Sequence, residues 1–311
     1  MNPTLQIVMY HYIRDLPNTP FPRIKGMLTS DFRRQLDGFR NRYEMATLES
    51  ALAFLQGNYI PTRDLCLLTF DDGLKEHYTD VTPLLMEHKI QGLFFTITSC
   101  VQGSRVASVH MNHFLMAALD FDVYQATFLQ RLREVSPQTL MATEIDTSVA
   151  HRMYRWDSSE VASFKYLFNF LLDWRVRDQV LRTLFEEQIG TEDAFSPTLY
   201  FTWEEARQMQ DVGMLIGGHS HQHRSLATLS PEELQWDLTT CQRLLVEHLH
   251  PQTLWPFCYP YGKQDSFNDT TMRGLKELKF SCAFSTEVGT NRPGVNTFIL
   301  HRLDCKDTLS T

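Results

Sequence analysis

The chain has 311 residues, 43% hydrophobic and 12% aromatic, which is ample material for a large core in a single α/β domain. Its formal net charge is -8, from 29 basic and 37 acidic residues, a balance that argues against a general binder of nucleic-acid phosphates. No run approaches 18 apolar residues, Met1-Asn2-Pro3-Thr4 lacks the basic start of a secretory leader, and six cysteines are scattered without a CxxC pair. These features predict a cytoplasmic chain with reduced thiols and no transmembrane segment.

In chain order, short apolar runs bounded by polar or turn residues predict buried strands at 5–11, 65–70, 92–97, 214–218, 255–259, 280–284 and 298–303. Helical patterns separate most of them. The stretch 29–43 carries Phe32, Leu36 and Phe39 at helical spacing. Ser230-Pro231-Glu232-Glu233 is a capping box with proline at the first helical position, opening a helix that runs to about His248. Strand–helix alternation over seven units predicts a mostly parallel sheet curled into an open or distorted barrel. From 103 to 197 no strand signal occurs, whereas 111–119, 124–135 and 161–172 are helical; Phe164, Leu167, Phe168 and Leu171 fall at i, i+3, i+4 and i+7. The chain 1–311 thus reads as one domain with a helical insertion at 103–197. That insertion serves either as extra packing or as a wall or lid beside a site.

Three strand ends carry chemistry. Leu67-Leu68-Thr69-Phe70-Asp71-Asp72-Gly73 runs an apolar strand into two adjacent carboxylates and a glycine, at the end where parallel α/β folds build their sites. Asp-Gly is also a common turn. Adjacent side chains diverge there, so one aspartate can ligate a metal while the other handles protons. Met214-Leu215-Ile216-Gly217-Gly218 leads into His219-Ser220-His221-Gln222-His223. Histidines four apart, placed on one side of a helical turn, reach a single metal; with one carboxylate they leave a coordination position open for water. His221, between them, is expected to point away. The third run, Trp255-Pro256-Phe257-Cys258-Tyr259-Pro260-Tyr261-Gly262, ends in a sharp turn. Such a turn is either purely structural or aims a backbone N–H at a reacting carbonyl.

Thr69-Phe70-Asp71-Asp72-Gly73, His219-Ser220-x-x-His223 and Tyr259-Pro260-Tyr261-Gly262 resemble the successive motifs of the polysaccharide deacetylase superfamily (NodB homology, carbohydrate esterase family 4-like). The resemblance runs from the first strand to the last and is interrupted by the insertion. It implies a distorted (β/α)7 barrel that removes N- or O-acetyl groups from an amino sugar, a glycan, or a lipid- or nucleotide-linked glycan precursor. It also implies Asp71 as general base, Asp72, His219 and His223 as ligands of a divalent metal (zinc before cobalt or nickel), and the Tyr261 backbone N–H as an oxyanion donor.

Two departures from the family pattern bear on the site. Many members carry an arginine, which orients the catalytic aspartate, where this chain has Cys258; Arg302, with Asp304 holding it, is the candidate replacement. Leu300-His301 resembles the family's usual source of the general acid. Yet Tyr10-His11 ends a strand about 60 residues before the aspartates, a layout resembling the circularly permuted branch, whose acid is this N-terminal histidine. His11 is favoured over His301 because it would open onto the catalytic face. Tyr12, Tyr78, Trp203 and Tyr261 are candidates for sugar stacking, and His77 reads as packing or solvated. The same machinery would also serve an amide or formamide hydrolase acting on a small non-sugar molecule. A catalytically silent carbohydrate-binding protein is the remaining alternative.

Overall fold

The structure, a computed structural model, describes residues 3–138 and 144–308. Two compact units result: one takes the described residues up to Pro17, Lys25–Arg105 and those from Ser196 onward, the other Asn18–Ile24 with the described part of Val106–Phe195.

The first unit is an α/β fold around a parallel, curled sheet. Its strands are β1 (Leu5–Tyr10), β2 (Glu44–Met45), β3 (Leu65–Phe70), β4 (Gly92–Thr96), β5 (Leu215–Gly218), β6 (Pro256–Cys258), β7 (Cys282–Phe284) and β8 (Leu303–Asp304). The order is β7-β6-β5-β4-β3-β1-β8, with β2 added alongside β3. Each main pairing is parallel, and β1 lies in full register on β3 from Leu5 opposite Leu65 to Tyr10 opposite Phe70.

The strands are near-continuous apolar runs because both faces of the sheet are covered. Side chains alternate between faces, and the core divides accordingly. Leu5, Ile7, Leu65, Leu67, Leu93, Phe95, Cys258, Cys282, Phe284 and Leu300 form one cluster, shared with the helix Leu48–Leu55. Val8, Tyr10, Cys66, Leu68, Phe70, Phe94, Ile216 and Phe257 belong to the other, which the flanking helices Thr29–Arg42 and Pro231–His248 also enter.

The run expected as a strand at 298–303 is shorter and more irregular. Leu300 bridges Phe284 in parallel fashion, its N–H donating to the Ala283 carbonyl at 3.0 Å and its carbonyl accepting from Ser285 N–H at 2.9 Å. Leu303 and Asp304 then pair with Val8 and Met9. This one segment therefore links β7 to β1, the two sides of the curled sheet.

The second unit is helical. Ser108–Ala118 and Phe121–Val135 pack on Trp174–Gln188, and Tyr124, Phe128, Phe164 and Phe168 meet edge-on or tilted at its centre. The helix expected at 161–172 is regular over Ser159–Tyr166 and then widens into a π-type turn at Leu167–Leu171. Among the described residues, no helix is long and apolar enough to cross a membrane.

Candidate metal centre and its carboxylate–guanidinium pair

Alternation along β3 sets the position of Asp71. Leu65 and Leu67 face the cluster that includes Leu5, Ile7 and Phe95, and the period of two continues through Thr69 to Asp71. Arg302 meets both polar residues there. Its guanidinium donates to the Asp71 carboxylate at 2.8 Å (Nη1 to Oδ1) and 2.7 Å (Nη2 to Oδ2), to Thr69 Oγ1 at 3.1 Å and to the Ser285 carbonyl at 2.7 Å. Both residues are buried, and the forked geometry is the strong form of this pair. Burial pushes the Asp71 carboxyl up, but the guanidinium outweighs it and holds the group at about 2.

Cys258 completes this corner. Its sulfur accepts from Arg302 Nη2 at 3.0 Å, and its S–H points at Asp71 Oδ2 at 3.5 Å. Burial pushes this thiol up, so it sits there as a neutral group. Arg302 precedes β8 rather than ending a strand. Asp304 does not hold it: the Asp304 carboxylate accepts instead from the Lys306 backbone N–H at 2.9 Å, because it heads a short turn of 3-10 helix.

Asp72 leaves the strand differently. Its φ of 82° and that of Gly73, 71°, are both left-handed, and the chain turns sharply between strand and loop. A Cβ on Gly73 would come within 3.3 Å of Val101. The turn swings Asp72 toward the end of β5. There His219 N–H donates to the Thr96 carbonyl at 2.9 Å, and its Nδ1–H to the Cys258 carbonyl at 2.7 Å. A carbonyl only accepts, so this bond places a proton on Nδ1, and whenever the ring is neutral its lone pair is on Nε2.

The stretch 219–223 is not a helical turn, as the spacing suggested. It is a loop with left-handed Ser220 (φ 62°) and His223 (φ 53°), in which the Ser220 hydroxyl accepts from His223 N–H at 2.8 Å. The loop brings His223 Nε2 to 3.2 Å from His219 Nε2. Asp72 Oδ1 lies 3.4 Å from the first nitrogen and 3.5 Å from the second. All three side chains are buried. Donors held about 2.1 Å from a tetrahedral cation stand about 3.4 Å apart, so the spacing and the N2O donor set both fit zinc or a similar divalent ion. His221 points away: its Nδ1 meets Thr98 Oγ1 at 2.9 Å and its ring packs edge-on against Trp236.

Left-handed backbone concentrates here. Of six non-glycine residues with positive φ among those described, Asp72, Ser220, His223 and Tyr261 (62°) lie in the three motifs, whereas Lys89 and Lys279 follow helices. Each such residue costs about 1 kcal/mol or more, and such strain gathers at functional sites.

The other candidates are distributed unequally. Tyr261 lies at the site, its ring edge-on to His223 with centroids 5.1 Å apart. His11, at the end of β1, places Nε2 3.7 Å from Asp71 Oδ2 and is 43% exposed, open to water on one side and to the carboxylate on the other. His301 lies against Gly289, and its backbone is held by Asn291. No contact joins His301 to the carboxylates or to the paired histidines. Tyr12 and Trp203 are buried, the latter stacked on His248, and Tyr78 bonds Gln208. His77 is fully buried and donates Nε2–H to the His11 carbonyl at 2.9 Å.

Several supporting residues escaped the sequence reading. Thr69 and Ser285 show no signal beyond their place beside a strand end. Asp237 carries one: it falls on the apolar stripe of the helix Pro231–His248 and accepts from the backbone of His221 and Gln222.

Comparison with known proteins places this geometry. The family model for polysaccharide deacetylase matches residues 59–133 and 168–283, together more than half of the chain. His11 and Arg302 lie outside the matched stretches. YxkH of Bacillus subtilis (strain 168) is 25% identical over 104 residues, 33% of this chain and 36% of that protein; the chain thus spans about a third of the length of this curated relative. Streptococcus pyogenes deacetylase PplD, solved in complex with acetate, superimposes with a TM-score of 0.59 at 16% identity, over 98% of this chain and 93% of that one. IcaB from Ammonifex degensii gives 0.59 at 21% identity, over 99% and 95%. At these identities the two structures share the fold. With a curled parallel sheet, strand-end motifs in order and a family model covering most of both, the chain belongs to the polysaccharide deacetylase family.

Proposed function

We propose that this chain is a metal-dependent deacetylase that hydrolyses an N-acetyl or O-acetyl group on an amino sugar, glycan or glycan precursor. We further propose that it belongs to the circularly permuted branch of the family, with His11 of β1 as general acid. The observation that carries the reading is the convergence of Asp72, His219 and His223 beside a second, arginine-held carboxylate, Asp71.

Asp72, His219 and His223 would hold the divalent cation, zinc being favoured by the donor set. Such a cation, when bound, supplies Lewis acidity toward an acyl carbonyl and acidifies water. Asp71 stays ionised at every working pH because Arg302 neutralises it, and both of its oxygens are fixed in direction. It therefore serves as an oriented acceptor for a proton from attacking water, a role in which placement counts for more than basicity. The Tyr261 backbone N–H, at a strand-end turn, stabilises the oxyanion. His11 delivers a proton to the departing amine; its solvent side lets it reload from water. Amide cleavage needs this last step far more than ester cleavage does.

Supporting the permuted assignment, β1 precedes β3 in sequence and pairs with it along its whole length. The structural relative PplD, named a deacetylase and solved with acetate, supports an acetylated substrate.

Metal content and acetate release, measured together, test the proposal. Purified protein carrying about one zinc per chain and releasing acetate from N-acetylated sugars, with release abolished in His219→Ala, is the expected outcome. Metal without acetate release from any sugar, free, nucleotide-linked or lipid-linked, would transfer the reading to a small-amide hydrolase. A folded protein that takes up no zinc, cobalt or nickel would defeat it.

A further inference from the structure

The helix Pro231–His248 buries Leu234, Asp237, Leu238, Cys241, Leu244 and Leu245, so a single charged residue interrupts an apolar face. Asp237 is 2% exposed. Its Oδ1 accepts from the His221 backbone N–H at 2.9 Å and its Oδ2 from the Gln222 N–H at 3.0 Å. A buried carboxylate is unfavourable unless its oxygens are satisfied, and here consecutive amides of one loop satisfy both. Those amides lie between His219 and His223.

That loop needs support from outside. Ser220 and His223 are both left-handed without being glycine, and the stretch has no helix or strand hydrogen bonding of its own. On one side the start of the helix Thr98–Val101 engages it: Thr98 N–H donates to the Ser220 carbonyl at 3.2 Å, Ser99 N–H to the His221 carbonyl at 3.1 Å, and Thr98 Oγ1 meets His221 Nδ1. Asp237 grips two of the loop's N–H groups, those of His221 and Gln222, from a different helix. Asp72 comes from a third element, the end of β3. The Thr96 and Cys258 carbonyls anchor His219, and the rest of the distance between the imidazoles and Asp72 depends on what holds the loop.

We propose that Asp237 is a positioning residue of the metal centre: by holding the His221 and Gln222 amides it fixes His219 and His223 against Asp72 and so sets the affinity for the cation. This inference rests on reading Asp72, His219 and His223 as metal ligands. Displacements of about 0.5 Å matter to such a site, and losing a residue that orients ligands weakens metal binding by about 10- to 100-fold. Asparagine at this position keeps the shape but offers one acceptor oxygen for two N–H groups.

The test uses the full chain and zinc alone. Zinc dissociation constants are measured by competition with a chromophoric chelator for the parent, Asp237→Asn and Asp237→Ser. Melting midpoints of the chelator-stripped proteins and the visible absorption of their cobalt(II) forms are recorded beside them. The expected result is a zinc Kd raised about 10- to 100-fold, with altered cobalt bands, in variants that still melt cooperatively. If Asp237→Asn gives no folded protein, Asp237→Ser, which removes the charge and retains a small acceptor, carries the same measurement. A lowered midpoint with parent-like Kd and cobalt bands would assign Asp237 to stability alone and overturn the proposal. A parent that binds no zinc would overturn the metal-centre reading, and this inference with it.

Discussion

Arg302 and Asp71 are 231 residues apart in sequence and form a forked ion pair in the buried interior of the sheet, both carboxylate oxygens taken at 2.7–2.8 Å. The pair occupies the corner where the Cys258 thiol also sits, so a small residue on β6 leaves room for a guanidinium arriving from the segment before β8.

Breaking this pair leaves a buried charge uncompensated. Arg302→Met should lower unfolding stability by about 3–5 kcal/mol, measured by urea titration. Arg302→Lys keeps the charge but loses the fork, and kcat/KM should fall about 100-fold or more as Asp71 loses its orientation. If Arg302→Lys retains parent-like kinetics, the guanidinium geometry has no part in the reaction.

Asp71→Asn separates proton handling from metal retention. Asp72, His219 and His223 are untouched, so about one zinc per chain should remain while turnover falls by about 10²- to 10⁴-fold. Metal analysis and a single-turnover acetate assay on the same preparation check both halves. Near-parental turnover would remove Asp71 from the role of base.

The two candidate acids are distinguished by leaving group. His11→Gln should depress release from an N-acetyl sugar by about 100-fold or more, yet affect an activated phenyl ester far less, because that leaving group departs without a proton. His301→Ala should leave both rates within a few-fold of the parent, since its ring lies against Gly289 and not at the carboxylates. The reverse pattern would exchange the two assignments.

His77 predicts an acid limb in stability. Burial lowers its pKa from 6.5 to about 4, while its bond to the His11 carbonyl favours the protonated form less strongly. The unfolded chain therefore binds the proton first, and the stability this group confers is present above about pH 6.5 and lost as pH falls toward 4. The loss is on the order of 3 kcal/mol at full extent. Urea titrations of metal-stripped protein between pH 7 and 4, run beside His77→Gln, should show a smaller decline in the variant. Parallel curves would exclude His77 as the source.

The sheet was legible in the sequence because strands buried on both faces are short, continuous apolar runs, and those at 65–70, 92–97 and 214–218 stand within a residue or so of β3, β4 and β5. The run at 298–303 was less so: its hydrogen bonds go to β7 at one point and to β1 at another, and apolar content does not encode that split. At the site, the spacing of His219 and His223 signalled a pair of donors. The loop that brings them together departs from the helical turn the spacing implied, because its shape comes from Ser220, Thr98 and Asp237. The pairing of Arg302 with Asp71 was anticipated only through the family resemblance, and the expectation that Asp304 holds Arg302 fails. Asp304 was near in sequence, but only the pairing of β1, β3 and β8 brings Asp71 to it.

The segment 300–304 has a consequence for how the molecule is made. A growing chain has both aspartates in place long before Arg302 leaves the ribosome, and until that segment docks, β1 and β7 present unpaired edges around an uncompensated carboxylate. Intermediates of this kind are prone to stick to one another. Docking of these few late residues closes the sheet and neutralises its interior in one event. The nascent chain thus keeps Asp71 uncompensated until segment 300–304 has been made and has docked.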